Sequence, residues 1–115
     1  MRSLLLAGVL ALGLAAAARP AEAADVRVFV RHEIGDYAAW KKAYDEFGAT
    51  RKKLGVIAHE VYRSIENPND VTIMNDFKTL QKAKAYAASP ELKAAMEKAG
   101  VTGTPQIWYT TRAVK

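Results

Sequence analysis

Two histidines, His32 and His59, are the side chains of this chain whose ordinary pKa, near 6.5, lets them exchange a proton around neutral pH. His32 ends a β-rich stretch beside Glu33 and shortly before Asp36, where a carboxylate could hold its ring; His59 lies in the middle of a second such stretch. Either is a candidate general base toward an acidic O–H. Arg31 and Asn75 are the polar candidates to orient a carbonyl or carboxylate, provided that their strand faces point inward. Trp40, Tyr44, Tyr62 and Trp108 combine apolar area with a hydrogen-bonding tip, which suits a pocket that holds a flat hydrophobic ligand and fixes its polar group. Tyr37, Trp40, Tyr44 and Phe47 also fall on one helical stripe, so the same residues serve equally well as core.

Other chemistries are closed by residue type or spacing. The chain has no Cys, which removes disulfides, thiolate metal sites and thiol nucleophiles. The two His do not recur at metal-ligand spacing with Glu33 or Glu60, so no metal site is expected. There is no Gly-rich phosphate loop, no nucleophile elbow and no dinucleotide fingerprint, and no cofactor is expected. The basic residues, among them Arg51-Lys52-Lys53 and Lys82, Lys84, Lys93 and Lys98, alternate with acidic ones in places and match no recognition motif. They read as solvated helix faces and not as a nucleic-acid surface.

A single domain must position these groups, since 115 residues allow one core, and 50% hydrophobic residues are too many for a disordered chain. Residues 1–23 have the build of an export signal: Arg2, a charge-free apolar run over Leu4 to Ala18, and Ala21-Glu22-Ala23 as a small-x-small cleavage site. That run is shorter than the roughly 20 residues of a spanning helix, so a cleaved leader is expected, with no stable membrane anchor and a periplasmic or secreted destination. The domain is then 24–115, with 15 basic and 11 acidic residues. So small a core, without disulfide or metal, gains from a second subunit that covers apolar surface.

Within that domain the periodicity predicts strand, helix, strand, strand, helix, strand. Val26, Val28 and Val30 alternate with Arg27, Phe29 and Arg31 over Val26 to Glu33. Asp36 caps a helix that runs to Leu54 and closes at Gly55, with Lys41/Asp45 and Lys42/Glu46 spaced to pair. Val56 to Ile65 alternates again, and Asn67-Pro68-Asn69-Asp70 turns it into a hairpin with the stretch from Val71 to Phe77. Thr79 caps a second helix, broken at Ser89-Pro90 and stopped by Gly100; a last strand covers Gln106 to Arg112. This order predicts an α+β, ferredoxin-like βαββαβ fold with a four-stranded antiparallel sheet and both helices on one face. The bare face is expected to be hydrophobic and to meet a second copy, because every strand carries apolar or aromatic residues on both sides.

Asp36-Tyr37-x-x-Trp40 after the first strand, Tyr62-Arg63-Ser64-Ile65-Glu66-Asn67-Pro68-Asn69-Asp70-Val71, and Ala85-Tyr86-Ala87-Ala88-Ser89-Pro90-Glu91-Leu92 together resemble the dimeric α/β-barrel superfamily. Within it the chain is most similar to small antibiotic-biosynthesis-monooxygenase-like proteins, and the likeness covers essentially all of 24–115. The chain differs from that pattern at Glu91, where many members carry His, and at Asn75, where an acidic residue often stands. The resemblance implies a homodimer whose sheets pack face to face and a small-ligand pocket between each sheet and its helices. Some members oxidise aromatic compounds without metal or flavin, and others degrade haem. In the oxygenase reading, His32 or His59 takes a proton from a phenolic or quinol-type substrate, and Asn75, Arg31 or Tyr62 steadies the anion that reacts with oxygen. A non-catalytic ligand-binding or stress-related module, or a haem-handling protein, is the alternative use of the same pocket.

Overall fold

The computed structural model describes residues 25–114, and the leader expected over 1–23 lies outside them. The elements are β1 (Val26–Ile34), α1 (Tyr37–Glu46), α2 (Gly48–Lys53), β2 (Ala58–Arg63), β3 (Asp70–Phe77), α3 (Leu80–Ala87), α4 (Pro90–Lys98) and β4 (Val101–Thr110). The strands form one antiparallel sheet in the order β2-β3-β1-β4, the ferredoxin-like arrangement. Period two sorts each strand onto two faces. Val28, Val30, His32 and Ile34 point under the helices with Val71, Ile73, Asn75 and Phe77, and these residues are buried. Trp40, Ala83, Tyr86 and Leu92 cover them from α1, α3 and α4.

Local chemistry explains where the elements start and stop. The Asp36 carboxylate accepts from the Ala39 N–H at 2.8 Å and caps α1. The helix expected to run unbroken to Leu54 is two segments that meet at Phe47, just before Gly48, a poor helix former. Gly55 closes α2 with φ +109°, which favours glycine. Ser89 does two jobs at the expected break: its Oγ donates to the Tyr86 carbonyl at 2.8 Å and accepts from the Leu92 N–H at 3.1 Å, capping α4 with Pro90 at its first turn. Lys41 and Asp45 pair at 2.6 Å as expected, but Glu46 meets Lys98 on α4 at 3.3 Å in place of Lys42.

Two strands differ from the sequence reading. β2 is shorter than Val56–Ile65, and Ile65 beyond its end is almost fully exposed. β4 starts at Val101 and not at Gln106. It accommodates Gly103-Thr104-Pro105 as a bulge opposite His32: Arg31 pairs with Gln106 while Glu33 pairs with Thr102, and Gly103 takes φ +71°. A bulge is one of the few places a sheet tolerates Pro.

The face away from the helices is mixed. Phe29 and Trp108 stack at 5.5 Å between ring centroids, and Trp108 and Tyr62 are about half exposed. Beside them lie two ion pairs, Arg27–Asp76 at 2.8 Å and Arg31–Asp70 at 2.6 Å. The aromatic residues expected on the bare side are present, and these two charged pairs share it with them.

Candidate functional site

Between sheet and helices lies a cavity of about 50 Å³, counted as space open to the centre of a water-sized sphere. That is room for a few waters. Its floor is Val30 and Ile73 on the neighbouring strands β1 and β3; its roof includes Tyr44, Leu92 and Met96. Three polar side chains interrupt this apolar lining, and all are at least nine-tenths buried: His32, Asn75 and Arg51.

His32 projects from β1 in phase with Val28 and Val30, which carries it inward. Its ring meets Trp40 edge-on, with 6.0 Å between centroids, and neither ring nitrogen has a hydrogen-bond partner. Burial pushes its pKa down to about 4, against a smaller upward pull from the Asp70 carboxylate. At neutral pH it is an uncharged imidazole with one free N–H and one free lone pair. Asn75 projects from β3, and its buried Oδ1 is also unpartnered. His32 stands opposite Val71 in the register, four residues from Asn75, so the two mark opposite ends of the floor, about 13 Å apart at the backbone.

At the Asn75 end, β2 places His59 opposite Asn75. The Tyr44 hydroxyl and His59 Nδ1 are 2.6 Å apart. Arg51 stacks over the Tyr44 ring, 3.9 Å from guanidinium carbon to centroid, and donates to the Tyr44 carbonyl at 3.0 Å. Burial raises the Tyr44 pKa, so its hydroxyl stays protonated. Burial and then the Arg51 charge lower the pKa of His59. Among the described residues no three His, Asp or Glu side chains converge as metal ligands would.

An uncharged base and an amide at the two ends of an apolar floor can accept a proton and hydrogen-bond a polar atom of a ligand. A family model for antibiotic biosynthesis monooxygenases matches residues 26–98. This chain belongs to that family. No curated protein matches it in sequence. Three of the solved structures similar to it illustrate the shared fold. A Bordetella bronchiseptica protein named for the same family has 14% identity and a TM-score of 0.70, covering 79% of this chain and 99% of that one. SnoaB, a cofactor-independent oxygenase from Streptomyces nogalater, has 17% identity and a TM-score of 0.63, covering 80% and 97%. The ActVA-Orf6 monooxygenase of Streptomyces coelicolor, solved with nanaomycin D, has 14% identity and a TM-score of 0.60, covering 84% and 96%.

Against this antibiotic-biosynthesis-monooxygenase fold the sequence candidates divide. His32, Trp40, Tyr44 and Asn75 line the cavity. His59 does not; it sits in an outer cleft with Lys52 and Ile57 and reaches the cavity wall through Tyr44. Arg31, Tyr62 and Trp108 lie on the opposite face of the sheet, away from this cavity. Arg31 is one residue out of phase with His32 and is held by Asp70; Tyr62 bonds Glu60; Trp108 stacks on Phe29. The sequence places Arg51 in a solvated basic run, yet it is buried in the cavity wall. The signal that finds it is spacing: Trp40, Tyr44, Phe47 and Arg51 follow one another at three- and four-residue steps on a single helical face.

Proposed function

We propose that this chain is a cofactor-independent oxygenase of small phenols, working as an exported homodimer with one cavity in each subunit. The observation that carries the reading is the pair of unpartnered buried groups, His32 and Asn75, at the two ends of an otherwise apolar floor. A filled core leaves few such groups, because each costs about 1–3 kcal/mol while it lacks a partner. A phenol hydroxyl at the His32 end meets a neutral imidazole that accepts its proton, and the imidazolium and phenolate then stabilise each other in a slot of low polarity.

The phenolate spreads its charge to the ring carbon para to the oxygen, at the Asn75 end. That carbon bonds to one atom of O2; its C–H bond and the O–O bond break, and the second oxygen atom leaves as water with the two hydrogens lost from the ring and the hydroxyl. The product is a quinone, and the substrate supplies all four electrons. The Asn75 Nδ2–H group, beside the unpartnered Oδ1 acceptor, donates to the new carbonyl oxygen as it gains charge. Export is supported by the leader pattern of residues 1–23, and the homodimer by the aromatic sheet face around Phe29 and Trp108.

Oxygen uptake with a panel of single-ring phenols tests the reaction. One atom of labelled O2 enters the quinone, and His32→Ala loses at least about a hundredfold in rate. Tight binding of phenols with no oxygen uptake overturns the oxygenase and leaves a ligand-binding module.

A further inference from the structure

Arg51 is the charged residue in the cavity lining, which contains no Asp or Glu. It is 5% exposed, and its one protein hydrogen bond among the described residues runs to the Tyr44 carbonyl. A guanidinium has five N–H donors and does not deprotonate in proteins, so it cannot escape burial by becoming neutral. No carboxylate pairs with it among the described residues; the nearby Asp45 is taken by Lys41 at 2.6 Å. The other titratable groups around it do not supply a negative charge at neutral pH. His32 and His59 are held uncharged, and burial keeps the Tyr44 and Tyr86 hydroxyls protonated. Stacking on Tyr44 offsets part of the cost of the buried cation but supplies no counter-charge.

The position is reachable. Arg51 lines both the inner cavity and the outer cleft that it shares with Gly48, Lys52, Val56 and His59, so it stands in the wall between ligand space and solvent. The lining of that cleft holds no acidic residue either, and Lys52 adds a second positive charge at its mouth. An approaching anion is drawn toward the wall, and a neutral molecule is not. The Asn75 end of the cavity lies against the same wall, through His59 and Tyr44.

We propose that Arg51 is the counter-charge for the ligand, and that the cavity takes a single-ring aromatic acid whose carboxylate pairs with the guanidinium. This rests on the reading of the cavity as a ligand site and narrows its substrate to a phenol bearing an acidic group. The planar fork matches a carboxylate in two parallel hydrogen bonds, and the small volume limits the organic part to one ring at most. Tyr44 and Trp40, stacked at 4.9 Å, form an aromatic wall beside that ring.

Benzoate and its neutral isostere benzamide separate charge from shape. With the protein of residues 24–115, Trp40 fluorescence or calorimetry shows benzoate binding at least about tenfold more tightly than benzamide at low salt. In Arg51→Met, which keeps the length and removes the charge, that preference falls to near parity while benzamide binding persists. In Arg51→Lys, part of the preference returns. Equal affinities in the unmodified protein overturn the anion site and leave the cavity reading intact, and a preference that survives Arg51→Met does the same. Binding of neither compound overturns both. If Arg51→Met does not fold, the comparison in the unmodified protein decides alone.

Discussion

Acid should unfold this domain through His32. The ring is 5% exposed, and its pKa is pushed down to about 4 in the fold against 6.5 for an open chain. The fold therefore prefers the neutral ring, and as pH falls through 6.5 the unfolded chain gains the proton first. The stabilising contribution is fully present above pH 6.5, declines below it, and is gone once the pH passes about 4, where the folded ring also protonates. That gap corresponds to about 3 kcal/mol in all, of which about 2 kcal/mol disappears between pH 7 and pH 5. In urea unfolding at fixed protein concentration, the midpoint should drop by about 1–2 M over that interval. His32→Leu removes the titrating group and the two unpartnered nitrogens, so it should be at least as stable at pH 7 and nearly flat from pH 7 to 5. His59 shifts in the same direction and Asp70 is held ionised by Arg31, but both are present in each protein, and the difference between the two profiles isolates His32. Parallel profiles would show that the ring is wetted or partnered in solution, and the argument for a neutral base in a slot of low polarity would fall with it.

Two further outcomes probe the frame around the cavity. Ser89→Ala removes the hydroxyl that caps α4 and ties it to α3, and should cost about 1 kcal/mol by urea unfolding; an unchanged midpoint would mean that water replaces the cap. Phe29→Asp places a charge beside Trp108 on the outer sheet face and should convert a dimer to monomer in sedimentation while each protomer stays folded; a dimer that persists assigns the contact to another surface.

How far the sequence showed all this depended on the range of each signal. Period two in β1 puts His32 in phase with Val28 and Val30, and it also puts Arg31 on the other side, so strand parity alone forbids both from entering one cavity. Parity likewise separates Tyr62 from Val61 and Trp108 from Ile107. Which face the helices cover is a tertiary fact that parity does not contain. The hairpin at Asn67–Asp70 and the break at Ser89 were legible because the residues that make them also bond there: Asn67 accepts from the Asn69 N–H, and Ser89 from the Leu92 N–H. The early start of β4 was hidden because Gly103 and Pro105 read as a stop, and only pairing with β1 turns them into a bulge. The contact of His59 with Tyr44 joins β2 to α1 and has no local trace.

The unpartnered polar groups were the least legible, and they bear most directly on function. A domain of this size has little stability to spare. Yet it keeps both His32 nitrogens and Asn75 Oδ1 without partners, and Arg51 without a counter-charge, around one space, while caps and ion pairs satisfy many polar groups elsewhere. Apolar residues at those positions would pack more tightly, since a buried group without a partner gives up its hydration and gains nothing in return. If the missing partner is the ligand, that ligand stabilises the protein by mass action and removes the deficit. Stability and binding are then opposed at His32: Leu there makes a sturdier protein with a poorer site. A polar group that merely failed to find its partner in folding has no such opposition, because replacing it would cost no affinity for anything.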